Sequence, residues 1–256
     1  MHSSYKNTLL ASLLILTSSV VFAESGVTLK TGVDYTSGKY GTDSLTKITS
    51  VPFIAAYETG PFSYKLTVPY VRITGADDVV VGVGKVKSPT AGSVRTESGL
   101  GDVVAAATYS VFSQPAQRFG LDLTGKIKFA TADEKKGLGT GKTDYTVLLD
   151  MYQKSGNVTL FGGLGYAVLG KSDALPLKNV ASANAGVSYK LSDLANTGVM
   201  FDVRQKTSEA TQGQRELTAF YSYKIAPSYK AQIYAVKGFS DGSPDFGGGM
   251  TIGYSF

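Results

Sequence analysis

Apolar and polar residues alternate one by one along most of the chain from about residue 26 onward. Strict alternation is the pattern of a β-strand with two unlike faces, and no helical period of about 3.6 residues competes with it in this part of the chain. The alternating runs span residues 26–36, 45–58, 62–74, 100–112, 118–130, 143–154, 158–169, 180–191, 198–207, 214–225, 229–239 and 245–256. The pattern therefore predicts an all-β chain with twelve strands.

The run from Phe119 to Phe129 shows what the two faces are made of. Its odd-numbered positions are apolar or glycine, whereas its even-numbered positions from Asp122 to Lys128 are polar or charged. In a soluble β-sandwich the apolar face would form the core, but in an outer-membrane barrel it contacts lipid and the polar face lines the lumen. A tilted membrane strand needs about 9–11 residues, which matches these runs. We expect a transmembrane antiparallel β-barrel; a soluble periplasmic β-protein is the alternative.

The connections between the runs differ in length in a way that favours the barrel. Residues 59–61, 113–117, 155–157 and 226–228 are tight turns rich in Gly, Pro, Asn and Ser. Other connections are longer, notably 75–99 and 131–142. Short turns at one end and long loops at the other are typical of outer-membrane barrels, and an even strand number places both termini in the periplasm. Loop 75–99 is then extracellular and a candidate to fold into the lumen.

The N-terminus has the features of a secretory signal peptide. Lys6 provides the positive charge, residues 9–16 form the apolar segment, and Ala23 supplies the small residue of a cleavage site. The apolar segment is too short to span a membrane as a helix. The sequence predicts a signal peptide over residues 1–23 and a single barrel over residues 24–256, exported to the bacterial outer membrane.

The final strand carries a further sign of export. It ends on Phe256 with Met250, Ile252 and Tyr254 on the same face. A terminal aromatic residue on an alternating strand is similar to the C-terminal segment that the bacterial barrel-assembly machinery binds. We expect that machinery and outer-membrane lipid as partners.

The composition excludes several kinds of chemistry. The chain has no cysteine, and its one histidine is His2, inside the predicted signal peptide. Ser-His and Cys-His catalysis and histidine-based metal sites are therefore ruled out in the exported protein. The segment Gly137 to Thr143 is similar to a P-loop, but Lys136 stands where that motif requires glycine. We therefore expect that the protein is not an enzyme and holds no cofactor. We also expect no nucleic-acid partner, because the residues that give the net charge of +5 are scattered along the chain.

The polar faces of the runs carry charges of both signs. If the hairpin registers are simple, Lys128 lies across from Asp144 and Arg204 lies across from Glu216. Such pairs could be structural ion pairs or a constriction that selects solutes. Small inward residues make a narrow solute path plausible in a barrel of intermediate size. The residues predicted to line and select within the lumen are Asp102, Lys126, Lys128, Asp144, Arg204 and Glu216.

Three segments are similar to a known family. Residues 68–75, 98–103 and, most specifically, 126–145 resemble the outer-membrane family named for the meta-pathway of phenol degradation. The resemblance extends over about residues 51–256, with Ala130 at a position where we would expect proline. It implies an outer-membrane transporter for hydrophobic or aromatic solutes and brings no catalytic residues with it.

These observations leave two hypotheses for function. The first is a passive outer-membrane channel for small solutes, including hydrophobic or aromatic ones. The second is a closed barrel that has a structural role or binds ligands at the surface through loops 75–99 and 131–142, without transport. Deleting loop 75–99 would separate them.

Overall fold

The computed structural model describes residues 25–86, 93–114, 118–172 and 175–256, and the predicted signal peptide lies outside these ranges. The described chain contains fifteen strands and one short 3-10 helix, Glu134–Lys136. The strands are β1 Gly26–Gly38, β2 Thr46–Thr59, β3 Phe62–Ala76, β4 Val79–Val80, β5 Gly84–Lys85, β6 Val94–Leu100, β7 Val103–Gln114, β8 Phe119–Phe129, β9 Asp144–Ser155, β10 Val158–Val168, β11 Val180–Lys190, β12 Ala195–Arg204, β13 Gln214–Ala226, β14 Tyr229–Gly238 and β15 Phe246–Ser255.

The strands form one closed antiparallel barrel. Each barrel strand pairs with its neighbours in sequence, and β1 pairs with β15 to close the ring. Strand β3 pairs with β6 along one half and with β7 along the other, so β6 and β7 together form a single barrel strand. The predicted twelve-stranded barrel is confirmed.

The fourth barrel strand differs from the prediction in its length. We expected a loop from Gly75 to Gly99, but β3 continues to Ala76 and β6 begins at Val94. The segment of β6 is polar on both faces, so alternation could not reveal it. The strand breaks at Gly101, whose N–H donates to the Pro69 carbonyl at 2.8 Å.

The two faces of the barrel wall have the polarity expected of a membrane protein. Leu123, Leu164 and Ile233 point outward and are 43%, 59% and 56% exposed. The residues between them in each strand point into the lumen and are mostly polar, small or charged. A continuous outer surface of large apolar side chains requires hydrocarbon rather than water around it. The expected lipid-facing and lumen-facing sides are confirmed.

Aromatic side chains gather near both ends of the wall. At one end the rings of Phe62 and Tyr109 lie 5.1 Å apart. At the other end the rings of Tyr35 and Phe246 lie 6.2 Å apart. Two such girdles mark the levels at which a barrel meets the lipid headgroups.

The connections divide into two sets. The short ones, at the same end as Ser25 and Phe256, are residues 60–61, 115–118, 156–157, 191–194 and 227–228. The long ones, at the opposite end, are residues 39–45, 77–93, 130–143, 169–179, 205–213 and 239–245. We call the end with the short connections the inner end of the barrel and the end with the long connections the outer end. Within the described ranges, no helix is long and apolar enough to cross a membrane.

Most of the buried apolar residues lie inside the lumen at its outer end. Val71 and Ile73 of β3 point inward and are 2% and 0% exposed. They belong to one cluster with Tyr40, Val79 and Leu138, which come from three different loops or insertions. The fold therefore places a small dry core within the barrel, built by the outer loops.

Candidate functional site

The outer mouth of the lumen is filled by residues 77–86, which we call the plug hairpin. Its two short strands, β4 and β5, pair Val79 with Lys85 and Val80 with Gly84. Between them, Gly82 adopts a positive φ of 85° that lets the chain reverse. The hairpin follows β3 directly and turns straight into the lumen.

Valines on the plug hairpin join two separate apolar clusters. Val79 and Val81 pack with the cluster that contains Ile73. Val80, Val83 and Val86 pack with Leu177 from loop 169–179, against Leu169 and Leu175. Because valines on both sides of the hairpin are covered, water is excluded from both of its faces.

Arg95 of β6 holds the base of the plug hairpin. Its guanidinium contacts the Asp77 carboxylate at 2.5 Å and donates to the Val79 carbonyl at 3.1 Å. The same group lies directly over Gly137, which has φ +63°, so a Cβ at that residue would be 1.9 Å from the Arg95 nitrogen. The positive φ favours glycine at this position, and a side chain there would displace the Arg95 guanidinium. The Val81 N–H donates to the Gly137 carbonyl at 2.9 Å.

Two further loops fasten the tip of the plug hairpin. The Lys85 ammonium donates to the Gly41 carbonyl at 3.0 Å and lies 3.6 Å from the Asp78 carboxylate. The Thr207 hydroxyl donates to the Val83 carbonyl at 3.1 Å. The hairpin therefore contacts loops 39–45, 130–143, 169–179 and 205–213, and together these segments close the outer mouth.

Three of the predicted lumen residues form a charged cluster beside the plug hairpin. The Lys128 ammonium lies 3.0 Å from the Asp102 carboxylate and 2.8 Å from the Asp144 carboxylate. It also donates to the Thr140 hydroxyl at 3.0 Å. The register pairs Lys128 with Asp144, as the sequence predicted. We call Asp102, Lys128 and Asp144 the outer clamp.

The outer clamp also fixes two loops by their backbones. The second oxygen of Asp102 accepts the Ala132 N–H at 3.0 Å, and that of Asp144 accepts the Gly170 N–H at 2.9 Å. Each carboxylate therefore has one oxygen on Lys128 and the other on a loop. With its donors and acceptors engaged in this way, the cluster fastens loops 130–143 and 169–179 to the wall.

The glycine-rich segment similar to a P-loop serves this packing. A Cβ at Gly139 would lie 2.7 Å from an Asp102 oxygen, so the backbone approaches the outer clamp more closely than another residue would allow. Leu138 and Thr140 on either side are 1% and 0% exposed. As predicted, the segment is a loop between two strands.

The predicted pairing of Arg204 with Glu216 is wrong. The register places Glu216 opposite Asp202, and Arg204 opposite Gln214. Glu216 is 1% exposed and accepts a hydrogen bond from the Gln214 side chain. A shift of two residues keeps every side chain on the same face, so alternation predicts the face of a strand but not this register.

The register also brings together an acidic row that the sequence did not reveal. Four inward carboxylates lie along one line of paired residues on the wall from β8 to β13. The line runs from Asp122 to its partner Asp150, through Gly163 and Asn184, to Asp202 and its partner Glu216. Nothing in the sequence spacing of these strands indicates that they share a row.

Four inward lysines on β1, β3, β8 and β14 form a group that we call the basic wall. Lys30 and Lys230 both lie opposite Gly253, and Lys65 and Lys126 both lie opposite Ala106. Lys30 is exposed and the other three are half-buried, so water reaches each of them inside the barrel. Among the described residues, none of the four has an acidic oxygen at ion-pair distance. Of this group, only Lys126 is among the six residues predicted to select solutes, although alternation also predicts that Lys30 and Lys65 face the lumen.

Two groups in the outer loops have displaced pKa values. Hydrogen bonds from Lys178 and from Lys206, the latter at 2.6 Å, lower the pKa of Glu209 to about 2. Glu209 thereby links loop 169–179 to loop 205–213. Burial raises the pKa of Tyr40, whose hydroxyl donates to Thr36 at 2.9 Å.

Comparison with known proteins agrees with this architecture. Residues 20–256 match the model of the family described as the MetA-pathway of phenol degradation. An outer-membrane channel from Pseudomonas putida F1 superposes with a TM-score of 0.73 at 9% identity, covering 92% of this chain and 97% of the other. The KdgM porin superposes with a TM-score of 0.57 at 8% identity, covering 90% and 99%.

A third similar structure belongs to a protein with a different role. The translocator domain of the autotransporter NalP from Neisseria meningitidis superposes with a TM-score of 0.53 at 13% identity, covering 93% of this chain and 90% of the other. Channels, porins and a translocator share this barrel, so the similarity concerns the fold. No curated protein sequence matches the chain.

Proposed function

We propose that this chain, which belongs to the family described as the MetA-pathway of phenol degradation, is a passive channel for small solutes in the bacterial outer membrane. One observation carries the proposal: the basic wall is inside the lumen, reached by water and without ion-pair partners among the described residues. An unpaired charge in a dry interior costs several kcal/mol, by order of magnitude, so these lysines require water around them. The inner half of the lumen is then an aqueous vestibule.

Transport through this barrel requires the plug hairpin to move. The outer mouth is sealed by buried valines and by Leu138, and apolar packing of this kind admits neither ions nor water. The hairpin lies between β3 and β6 in the chain and belongs to neither strand, so it can leave the mouth without breaking the wall. We propose that it acts as the gate of the channel.

The solutes we propose are small, and the family description suggests aromatic compounds. About eight strands leave an interior filled by side chains, whereas 16–18 leave a wide channel. Twelve strands with inward glycine and alanine at positions such as Gly163, Gly253 and Ala106 fit a narrow path between these limits.

The proposal includes no chemical reaction. We propose that the protein is not an enzyme, because the exported chain lacks histidine and cysteine. Its proposed partners are outer-membrane lipid and, through the strand that ends at Phe256, the barrel-assembly machinery. The six lumen residues predicted from sequence remain proposed selectivity residues, with Asp102, Lys128 and Asp144 acting through the outer loops.

A closed barrel that binds ligands at its surface is the second candidate. The dry packing of the plug hairpin favours it, because nothing passes while that packing is intact. The two candidates differ in what happens when the hairpin is removed.

Planar-bilayer recording of the full chain and of a variant lacking residues 77–86 tests the proposal. We expect low or intermittent conductance from the full chain, and a large and steady conductance, with swelling of liposomes in arabinose, from the variant. Replacing the same ten residues by an equally long Gly/Ser segment controls for chain length. A lumen that stays closed to ions and sugars in both variants, with heat-modifiable mobility showing a folded barrel, would rule out the channel.

A further inference from the structure

We infer that four cations on the lipid-facing side of the barrel bind the phosphate groups of lipid A, the glycolipid of the outer leaflet. The four are Lys47 of β2, Arg72 of β3, Arg215 of β13 and Lys237 of β14, and we call them the outer basic rim. The inference goes beyond the proposed channel, because binding at this rim requires neither an open lumen nor a moving plug hairpin.

The charged residues on the outward face of the wall all have the same sign. Residues alternate between lumen and exterior along each strand, and the register pairs outward residues with outward residues. On the strands of the described chain, the outer basic rim supplies every charged side chain of that face, and no Asp or Glu faces lipid. All four cations are exposed. A surface that carries only cations attracts anions.

The outer basic rim lies at the level of the outer aromatic girdle. One row of register partners runs from Lys47 through Ser37 and Phe246 to Lys237. Phe246 contacts Tyr35 in that girdle, which marks the level of the lipid headgroups. Long basic side chains at this level keep their stems on apolar surface and their charges among the headgroups.

The four cations form two pairs of close neighbours. The register places Arg72 diagonally from Lys47 across β2 and β3. It places Arg215 diagonally from Lys237 across β13 and β14. Diagonal neighbours on one face of a sheet are about 7–8 Å apart, which long side chains can span. Each pair can therefore hold one phosphate between two cations.

The outer basic rim has no carboxylate partner within the described ranges. No acidic oxygen there lies at ion-pair distance from any of the four cations. Lys237 donates one hydrogen bond, to the Asp245 carbonyl at 2.8 Å. By contrast, the cations of the outer clamp and those that hold the plug hairpin have carboxylate partners at 2.5–3.6 Å. The cations on the outside are therefore available to a charged ligand.

The wall beneath the outer basic rim suits the acyl chains of such a ligand. The row next to Lys237 on its inner side consists of three small outward residues, Ala219, Ala235 and Gly248. The row after it carries Ile233, which is 56% exposed. The small residues leave a depression in the apolar wall in which an acyl chain can lie. A molecule with phosphates above and acyl chains below contacts both parts of this surface.

The spacing of the two pairs favours a headgroup with two phosphates. Lys47 and Lys237 are three inter-strand spacings apart, which is about 14 Å along the wall. Lipid A carries one phosphate at each end of a disaccharide, so its headgroup can contact both pairs. A phospholipid has a single phosphate and can contact only one pair.

A second copy of this chain does not suit the same surface. Two outer basic rims facing each other would bring like charges together, and the outward face of the described strands has no acidic residue to pair with them.

Lipid titration of the full chain in a nonionic detergent, followed by native mass spectrometry, tests the inference. We expect lipid A to bind at least about tenfold more tightly than dephosphorylated lipid A with the same acyl chains, because each cation near the headgroups adds to the attraction. Phosphatidylglycerol should bind more weakly than lipid A. Inorganic phosphate in excess, at constant ionic strength, should not displace lipid A.

Variants assign the binding to the outer basic rim. Lys47→Gln with Arg72→Gln, and separately Arg215→Gln with Lys237→Gln, should each weaken lipid A binding at least about tenfold. All four changes together should remove the preference for lipid A over its dephosphorylated form. Arg118→Gln with Lys154→Gln is the matched control, because it changes one exposed arginine and one exposed lysine that are neighbours at the inner end.

Equal binding of lipid A and its dephosphorylated form would overturn the inference. So would an unchanged affinity in the rim variants, provided that heat-modifiable mobility shows a folded barrel, or an equal loss in the control variant. Phosphatidylglycerol that binds as tightly as lipid A would contradict the assignment to a diphosphorylated headgroup, and displacement by inorganic phosphate would contradict the assignment to a lipid.

Discussion

The outer and inner halves of the lumen are built on the same alternation of residues but have opposite character. In the outer half the inward face of β3 carries Val71 and Ile73, which are buried against the plug hairpin. In the inner half the inward face of the same strand carries Lys65, which water reaches. One strand therefore lines a dry core at one end and an aqueous vestibule at the other. The state of the lumen depends on what the loops place in it, and not on the barrel wall alone.

The largest expected effect comes from breaking the outer clamp. Lys128→Met leaves the carboxylates of Asp102 and Asp144 without their cation, and a broken buried ion pair costs about 3–5 kcal/mol. We expect the lower part of this range, because the three side chains are 10–19% exposed. Faster hydrogen exchange in loops 130–143 and 169–179, and higher conductance, would show the effect.

A compensating variant separates charge from packing at the outer clamp. Adding Asp102→Asn and Asp144→Asn to Lys128→Met removes the repulsion and should restore much of the protection of both loops. Equal hydrogen exchange of the loops in the single and triple variants would mean that the charges do not hold them.

The next effect concerns the dry core. Leu138→Ala removes a side chain that is 1% exposed beneath the plug hairpin. Truncating a buried leucine costs about 2–5 kcal/mol, so the hairpin should spend more time out of the mouth and the mean current should rise. Leu45→Ala is the control, since Leu45 is 48% exposed in loop 39–45. If both variants behave alike, the apolar packing does not close the mouth.

Removing the anchor of the plug hairpin should have a smaller effect. Arg95→Gln loses the ion pair with Asp77 and the hydrogen bond to Val79, which together contribute about 1–3 kcal/mol. Opening events in bilayer recordings should become more frequent. Lys136→Gln is the control, because Lys136 is largely exposed and lies 3.9 Å from Glu97. An Arg95 variant with wild-type gating would show that the clusters alone hold the hairpin.

The smallest effect is the pH dependence of the loop link at Glu209. Its pKa is lowered to about 2 by its lysine partners, from an ordinary value of 4.5. Because the folded-state pKa is the lower one, the link is fully present above about pH 4.5 and is lost as the pH falls through about 2. Hydrogen exchange in residues 205–213, corrected for the intrinsic rate, should increase over this window in the wild type but not in Glu209→Gln. The exposed position of Glu209 predicts little change in overall stability.

The difference between the two halves also explains which features could be predicted from sequence. Lipid on one side of the wall imposes strict alternation, and this was enough to predict twelve strands and to place Asp102, Lys128 and Asp144 on the lumen side. The meeting of Lys128 with Asp144 followed from a simple hairpin register. The pairing of Arg204 with Glu216 was wrong, because loop 205–213 is long enough to permit another register.

The dry core could not be predicted in the same way. The plug hairpin is neither lipid-facing nor part of the ladder, so no periodicity describes it. One indication was present in the sequence: Val79, Val80 and Val81 form an apolar run inside loop 75–99, which is predicted to be extracellular and a candidate to fold into the lumen. Nothing in the sequence indicated the role of Arg95, because that role depends on where the plug hairpin folds. The basic wall and the acidic row required the register between strands.

Thiol labelling from the inner end measures the contrast between the two halves most directly. The chain has no cysteine, so Lys65→Cys and Val79→Cys each introduce a single thiol, one in the vestibule and one in the dry core. We expect a charged, membrane-impermeant thiol reagent to label the Lys65→Cys variant rapidly in the folded barrel. The Val79→Cys variant should react at least about a hundredfold more slowly, unless residues 80–86 are removed. Equal labelling of the two variants in the intact barrel, or an unreactive Lys65→Cys variant, would contradict the account of a wet inner half closed by a dry plug.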